Sequence, residues 1–326
     1  MQVVVIGGAG VLGQALLRAI VARGVLTRAD GVPAPVRRVI SVDRSQPPRL
    51  FVESHVEYVR AEPGSPHLLQ HVMGTVTDSV FHAWDSGTGG GRATPSFALA
   101  DSLRELLEAC ALQSSRPKVV LASSFAADGA VDATGTVADA PRALPASEDG
   151  LTALVGELLL TEAARAGRID GRALRLPMIA AAPGCAAFLG ELVPALYEGR
   201  PACCPIPCET PLWLTSAPAA ALALLHAHEL PREAWEQAGV LNAPARTLSV
   251  DSLAQAVSVA AGRPVESPAV EPDPALCQAL AQRPHRVAIE TALTLGFEHA
   301  PDAGALVRDL LEGALPPLPL AGEGRG

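Results

Sequence analysis

Hydrophobic positions in the first half of the chain alternate between two rhythms. Gln2 to Ile6 is a short Val-rich run closed by glycine, the pattern of a strand buried on both faces. Val11, Leu12, Ala15, Leu16, Ala19 and Ile20 then recur at helical spacing, so a helix packs back onto that strand. Further strands are predicted at Val39–Val42, Val56–Val59, Ser79–His82, Val119–Ala122 and Arg172–Leu176. Leu99, Leu103, Leu106, Leu107 and Cys110 mark a helix before the fifth strand. Leu151, Leu154, Val155, Leu158 and Leu159 mark one after it. The polar stretch from Thr27 to Arg38 and the Asp-, Gly-, Pro- and Ala-rich stretch 129–148 are expected as loops.

Strands alternating with helices predict an α/β fold: a Rossmann-like doubly wound parallel sheet with a smaller mixed C-terminal substrate domain. The expected division is a dinucleotide-binding domain over 1–175, including the helix at 150–166, and a substrate-binding region over 176–314. Some elements of that region return to the first domain. The Pro- and Gly-rich tail 315–326 is expected to be disordered.

Composition narrows the function classes. The 326 residues are 49% hydrophobic and 18% charged, enough apolar material for a large core and the wrong balance for disorder. A net charge of −9 and an aromatic content of 3% argue against nucleic acid and against an anionic membrane surface. The N-terminus has no basic leader. The uncharged stretch Thr210–His228 is broken by Pro211 and Pro218, so it is a poor spanning helix. Six cysteines are too few for a disulfide scaffold at this length. Cys203, Cys204 and Cys208 lie in CCPIPC, without CxxC spacing, and read as structural thiols rather than a metal site. A reduced cytoplasmic protein with no bound metal is expected.

The strongest chemical signal is GxxGxxG, carried by Gly7, Gly10 and Gly13 between the first strand and the first helix. Glycines there permit a tight turn and close backbone approach to a pyrophosphate, and the helix N-terminus with Val11 and Leu12 offers free N–H groups to the anion. Asp43 ends the second strand, suited to ribose hydroxyls and hostile to a 2′-phosphate. NAD is therefore preferred to NADP, although Arg44 beside it pulls the other way.

GGAGVLG at 7–13, VFHAW at 80–84 and VVLASS at 119–124 resemble an extended short-chain dehydrogenase/reductase. GELLLTEAARAGRIDGRALRLPMI (156–179), LWLTSAP (212–218), HAHELP (226–231), EPDP (271–274) and LGFEHAP (295–301) resemble more closely the D-erythronate dehydrogenase family of NAD-dependent epimerase/dehydratase-like proteins. The resemblance implies that Ala83, Trp84 and Pro177 line the nucleotide. It further implies a catalytic Ser, a Tyr-x-x-x-Lys pair and an assisting Asn. Ser124 matches the Ser. Asp149 stands at the Tyr position, Ala153 at the Lys position, and the Asn position falls near Leu99. Tyr58, Tyr197 and the single lysine, Lys118, form no Tyr-x-x-x-Lys pattern anywhere.

Three readings follow. The first is an atypical member with non-redox chemistry on a small oxygenated substrate, using Ser124 to orient and Asp149 as acid or base. The second is an ordinary NAD-dependent dehydrogenase or epimerase of a hydroxy or sugar acid. The third is a non-catalytic nucleotide-binding scaffold. For Asp149 a helix N-cap or solvated role competes with catalysis. His82 and Asp85 are secondary acid/base candidates at the end of the fourth strand, and Glu62 is a weak adenine-side candidate. His226 and His228 read as structural, and Glu157 as a solvated or interface carboxylate. A homodimer is expected through the helices near 97–112 and 150–166, which carry surplus apolar surface and pair with their symmetry mates in related enzymes.

Overall fold

The computed structural model describes residues 1–47, 51–62, 65, 76–83, 96–129, 136–137 and 145–314. Trp84, Asp85 and the tail 315–326 lie outside the described residues.

Seven parallel strands form the central sheet: β1 (Gln2–Ile6), β2 (Arg38–Asp43), β3 (Val56–Arg60), β4 (Ser79–His82), β5 (Lys118–Ser124), β6 (Asp170–Leu176) and β7 (Leu241–Asn242). Their spatial order is 7-6-5-4-1-2-3, a doubly wound arrangement whose order reverses beside β1. Val3, Val4, Val5 and Ile6 are all at most 1% exposed, which is why β1 reads as an unbroken apolar run. β7 comes from the C-terminal half and pairs with β6, Leu241 opposite Leu174.

Helices cover both faces. On one, α1 (Val11–Arg23) packs against α4 (Ala217–Glu229), with Leu16, Leu17, Leu224 and Leu225 in the shared core. On the other, α2 (Ser96–Ala111) packs against α3 (Glu148–Arg165), with Leu103, Leu106, Leu107, Leu160 and Ala163 buried. A smaller mixed sheet joins residues 178–179, 212–215 and 246–248. Its core includes Trp213, Leu214, Val250 and Leu253.

Two local expectations are corrected. Part of the stretch read as a surface loop is a hairpin: residues 25–27 pair antiparallel with 33–35, turned by Gly31 at φ +81°. α3 also turns differently from its leucine pattern. Its buried side carries Thr152, Gly156, Glu157, Leu160 and Ala163, while Leu151 and Leu158 are 47% and 62% exposed. A Cβ at Gly156 would press on Leu103 and Leu121, so the helix sits close on the sheet through its small residues.

Candidate active site

The carboxyl-terminal ends of the strands carry the candidate site, where an open α/β sheet binds its ligands. Gly7 has φ +82°, and its N–H donates to the Val42 carbonyl at 2.8 Å, tying the glycine turn to β2. A Cβ at Gly13 would collide with the Gly7 carbonyl, and one at Gly8 with the Ser41 hydroxyl. Gly10 starts α1 with no side-chain cap, so no side chain occupies the first-turn N–H groups of Val11, Leu12 and Gly13, where an anion would bind. Asp43 Oδ2 accepts from the Ala9 N–H at 3.0 Å, placing the carboxylate against the loop. Its other oxygen accepts from Ser45 N at 3.1 Å. Arg44 is ion-paired with Glu62 at 3.4 Å. Ala83 N–H donates to the Ile6 carbonyl at 2.9 Å beside the cradle, and Pro177 is buried just beyond β6. The glycine cradle, the uncapped helix and the adjacent carboxylate together fit an adenine dinucleotide.

Ser124 ends β5, and its Oγ accepts from Ala126 N at 3.2 Å, capping the short turn Phe125–Ala127. The start of α3 lies directly on that turn, because a Cβ at Gly150 would strike the Ala126 carbonyl. Asp149 is thereby carried to the neighbourhood of Ser124. It is not the helix cap: Ser147 Oγ accepts from Gly150 N at 3.1 Å, and Asp149 sits in the first turn. Its side chain is 59% exposed, with Oδ2 at 3.2 Å from Nη2 of Arg283. The Arg283 guanidinium lies 5.9 Å from the centre of the Phe125 ring. Arg283 escaped notice in the sequence because 134 residues separate it from Asp149.

Behind Ser124 is a buried polar cluster that sequence reading also missed. Glu157 is 2% exposed, so it is neither solvated nor at an interface. Arg175 donates to both its oxygens, at 2.8 and 2.7 Å, and Ser123 donates to one of them. Arg175 also pairs with Asp128, whose other oxygen is buried without a partner. Burial pushes the Asp128 carboxyl up to about 6, against the pull of Arg175 and with the push of Glu157. A charged residue, Arg175, inside the otherwise apolar run before Pro177 was the available signal.

His82 ends β4, 3% exposed, with neither ring nitrogen bonded, and burial pushes it down to about 4. His226 and His228 are structural. His228 Nε2 lies 2.7 Å from Ser79 Oγ, and His226 Nε2 lies 2.9 Å from the Leu295 carbonyl. Lys118 opens β5 at the opposite edge of the sheet, its Nζ donating to the His228 carbonyl at 2.9 Å. Tyr58 exchanges hydrogen bonds with the Phe51 backbone, and Tyr197 lines an open cleft of about 870 Å³ beside the helix 189–198. No lysine or tyrosine therefore stands beside Ser124 and Asp149 among the described residues. No group of three or more metal-ligating side chains converges among them, and no helix is long and apolar enough to cross a membrane.

A D-erythronate dehydrogenase from Cupriavidus necator is 32% identical over 325 residues, covering 96% of this chain and 99% of the relative. The chain belongs to the D-erythronate dehydrogenase family. A second D-erythronate dehydrogenase, from Haemophilus influenzae, is 26% identical, with 91% of this chain and 95% of the relative covered. The fold is that of a nucleoside-diphosphate-sugar epimerase from Agrobacterium tumefaciens, with a TM-score of 0.82 at 24% identity over 96% of this chain and 94% of that one. A GalE-like L-threonine dehydrogenase from Cupriavidus necator aligns with a TM-score of 0.77 at 20% identity, over 95% and 99% of the two chains. No model of a known protein family matches the chain. Within the D-erythronate dehydrogenase family, this member has Asp149 in the first turn of α3, paired to Arg283.

Proposed function

We propose that this family member binds NAD in the glycine cradle and a small oxygenated acid beside Ser124, and that it carries out non-redox chemistry such as isomerisation, elimination or cyclisation. One observation carries the reading: Lys118 and both tyrosines lie elsewhere, so among the described residues the polar groups on the solvent side of the turn include Ser124, Asp149 and Arg283 but no Tyr or Lys. Bound NAD supplies a nicotinamide able to accept or return hydride. Hydride transfer also needs a proton moved at the substrate oxygen, and a positioned acid/base contributes roughly 10²–10⁴-fold. Ser124 Oγ orients that oxygen. Asp149, as the carboxylate partner of Arg283, takes a proton from substrate carbon or oxygen.

A dehydrogenase of a sugar acid is the reading that the relatives' names favour. A nucleotide-binding scaffold is favoured by the exposure of Asp149, since a site that excludes water would enclose its acid/base. The exposed Leu151 and Leu158 on α3 support a homodimer through α2 and α3. Six unbridged cysteines suit a reduced, cytoplasmic setting.

Calorimetry with NAD and NADP tests the nucleotide assignment. NAD is expected to bind and NADP to bind more weakly; no heat from either at millimolar concentration would remove the nucleotide site from the proposal.

A further inference from the structure

We infer that Arg283 is the substrate-anion receptor of this site and that Asp149 occupies it as an internal stand-in for a substrate carboxylate. The inference rests on the sugar-acid ligand proposed above and identifies the group that recognises it.

Arg283 and the segment that follows it are fixed at four points. Its N–H donates to the Leu280 carbonyl at 3.0 Å, at the end of the helix Pro274–Ala281. Three residues on, Arg286 and Val287 pair in parallel with Thr136 and Val137, in the segment that follows Ser124 and Gly129. The Thr247 hydroxyl donates to the His285 carbonyl at 2.6 Å, fixing the same segment to the smaller sheet. The guanidinium itself lies over the Phe125 ring, one residue from Ser124. A segment from the C-terminal half thus delivers a cation to the turn that carries the catalytic serine.

The charge geometry is lopsided. The Arg283 side chain is 18% exposed and its Asp149 partner 59%. The cation is therefore the sheltered member and the carboxylate the one facing water. A guanidinium has five N–H donors in a planar fork, and Asp149 engages one nitrogen, at 3.2 Å. No other hydrogen-bonding or ion-pairing side chain reaches Arg283 among the described residues. The unused donors suit a carboxylate, which a fork of this shape binds through two parallel hydrogen bonds. A ligand carboxylate arriving from solvent meets the exposed Asp149 first and replaces it on the fork. The exchange conserves charge at Arg283 and breaks the Asp149–Arg283 pair next to the bound substrate. An uncharged polyol offers no such exchange. In a chain of net charge −9, a sheltered cation at this position is what makes an acid, rather than a neutral sugar, the preferred ligand.

Calorimetry on the full-length, NAD-saturated protein tests this with three probes: D-erythronate, uncharged erythritol and inorganic phosphate. The unmodified protein is expected to bind D-erythronate and to ignore erythritol. Arg283→Gln is expected to weaken D-erythronate binding by about 10- to 100-fold, the loss for a hydrogen-bonded charged pair, with NAD affinity unchanged. Arg283→Lys should fall between the two. Asp149→Asn should tighten binding several-fold, because the competing carboxylate is gone; a merely structural ion pair would not give this opposite sign. If Arg283→Gln fails to fold, the sign of the Asp149→Asn effect decides. D-erythronate binding that survives Arg283→Gln, or that weakens in Asp149→Asn, overturns the inference while leaving the sugar-acid reading intact. Phosphate bound through Arg283 without D-erythronate supports the anion receptor and overturns the sugar-acid reading. No binding of either anion overturns both.

Discussion

The two edges of the central sheet are built from similar buried polar residues with opposite outcomes. At the amino-terminal edge, Arg172 is 0% exposed, pairs with Asp170 at 2.9 Å and donates to the carbonyls of His228 and Leu230 at 2.8 and 2.7 Å. Lys118 adds a further bond to the His228 carbonyl, so two cations close the C-terminal end of α4. Glu229 accepts from the Thr27 N–H at 3.0 Å and hydroxyl at 2.8 Å, and contacts His228 Nδ1 at 2.7 Å. At the carboxyl-terminal edge, both nitrogens of His82, one oxygen of Asp128, the Ser41 hydroxyl and the Asn242 amide oxygen are buried without partners. Buried polar groups are ordinarily bonded, and orphans gather where a ligand completes them. The first edge has orphans too, Arg28 Nε and Arg116 Nε, but Arg28 Nε lies 3.3 Å from the Asp78 carboxylate, whereas the two His82 nitrogens at the second edge face no charged partner.

The largest expected effect lies at the amino-terminal edge. Arg172→Met should destabilise the fold by about 3–5 kcal/mol, because Asp170 keeps a buried charge and the α4 carbonyls lose their donors. Urea unfolding measures this. A loss under about 1 kcal/mol would mean that the edge is not organised around that guanidinium.

The two buried histidines give the sharpest contrast. His228→Leu strands the Ser79 hydroxyl and part of Glu229 and should cost about 2 kcal/mol. His82→Leu breaks no hydrogen bond and should stay within about 1 kcal/mol of the parent. Burial pushes both rings from 6.5 down to about 4. The unfolded chain therefore takes up protons between those values that the native state refuses. Stability is full above pH 6.5 and falls as the pH drops towards 4. Asp128, raised from 3.8 to about 6, works in the opposite sense, since the native state holds its proton longer. His82→Leu should flatten the fall on the acid side. An unchanged slope in stability against pH would show that His82 does not titrate as its burial requires.

The smallest effect concerns the face of α3 away from the sheet. Leu158→Arg should turn the proposed dimer into a monomer at micromolar concentration with little change in stability, as light scattering and urea unfolding would show. A dimer that persists was built on another surface.

Legibility followed the range of the interactions. The glycine cradle and Asp43 stand within a single βαβ unit, so the strand–turn–helix context made them legible although the interval from Gly13 to Asp43 is longer than usual. Of the six strands predicted by pattern, Gln2–Ile6 and Ser79–His82 have the observed bounds and the other four differ by one or two residues at one or both ends, because each is bounded by turn residues. The Asp149–Arg283 pair and the Glu157–Arg175–Asp128 cluster were invisible because tertiary packing, not periodicity, joins them. Glu157 misled in particular: the leucines around it drew the apolar stripe to the wrong side of α3, when Gly156 and Ala163 mark the face that fits closely on the sheet.

The proposed non-redox function requires NAD in the glycine cradle with no Tyr and Lys beside Ser124 to relay a proton for hydride transfer. NADH formation from D-erythronate, followed for the unmodified protein and for Asp149→Tyr with Ala153→Lys, tests it most directly. The two substitutions lie one helical turn apart on α3 and restore both groups to one face. The account predicts negligible NADH from the unmodified protein and a rise of about 10²-fold or more in the double variant. Robust NADH formation by the unmodified protein would contradict it.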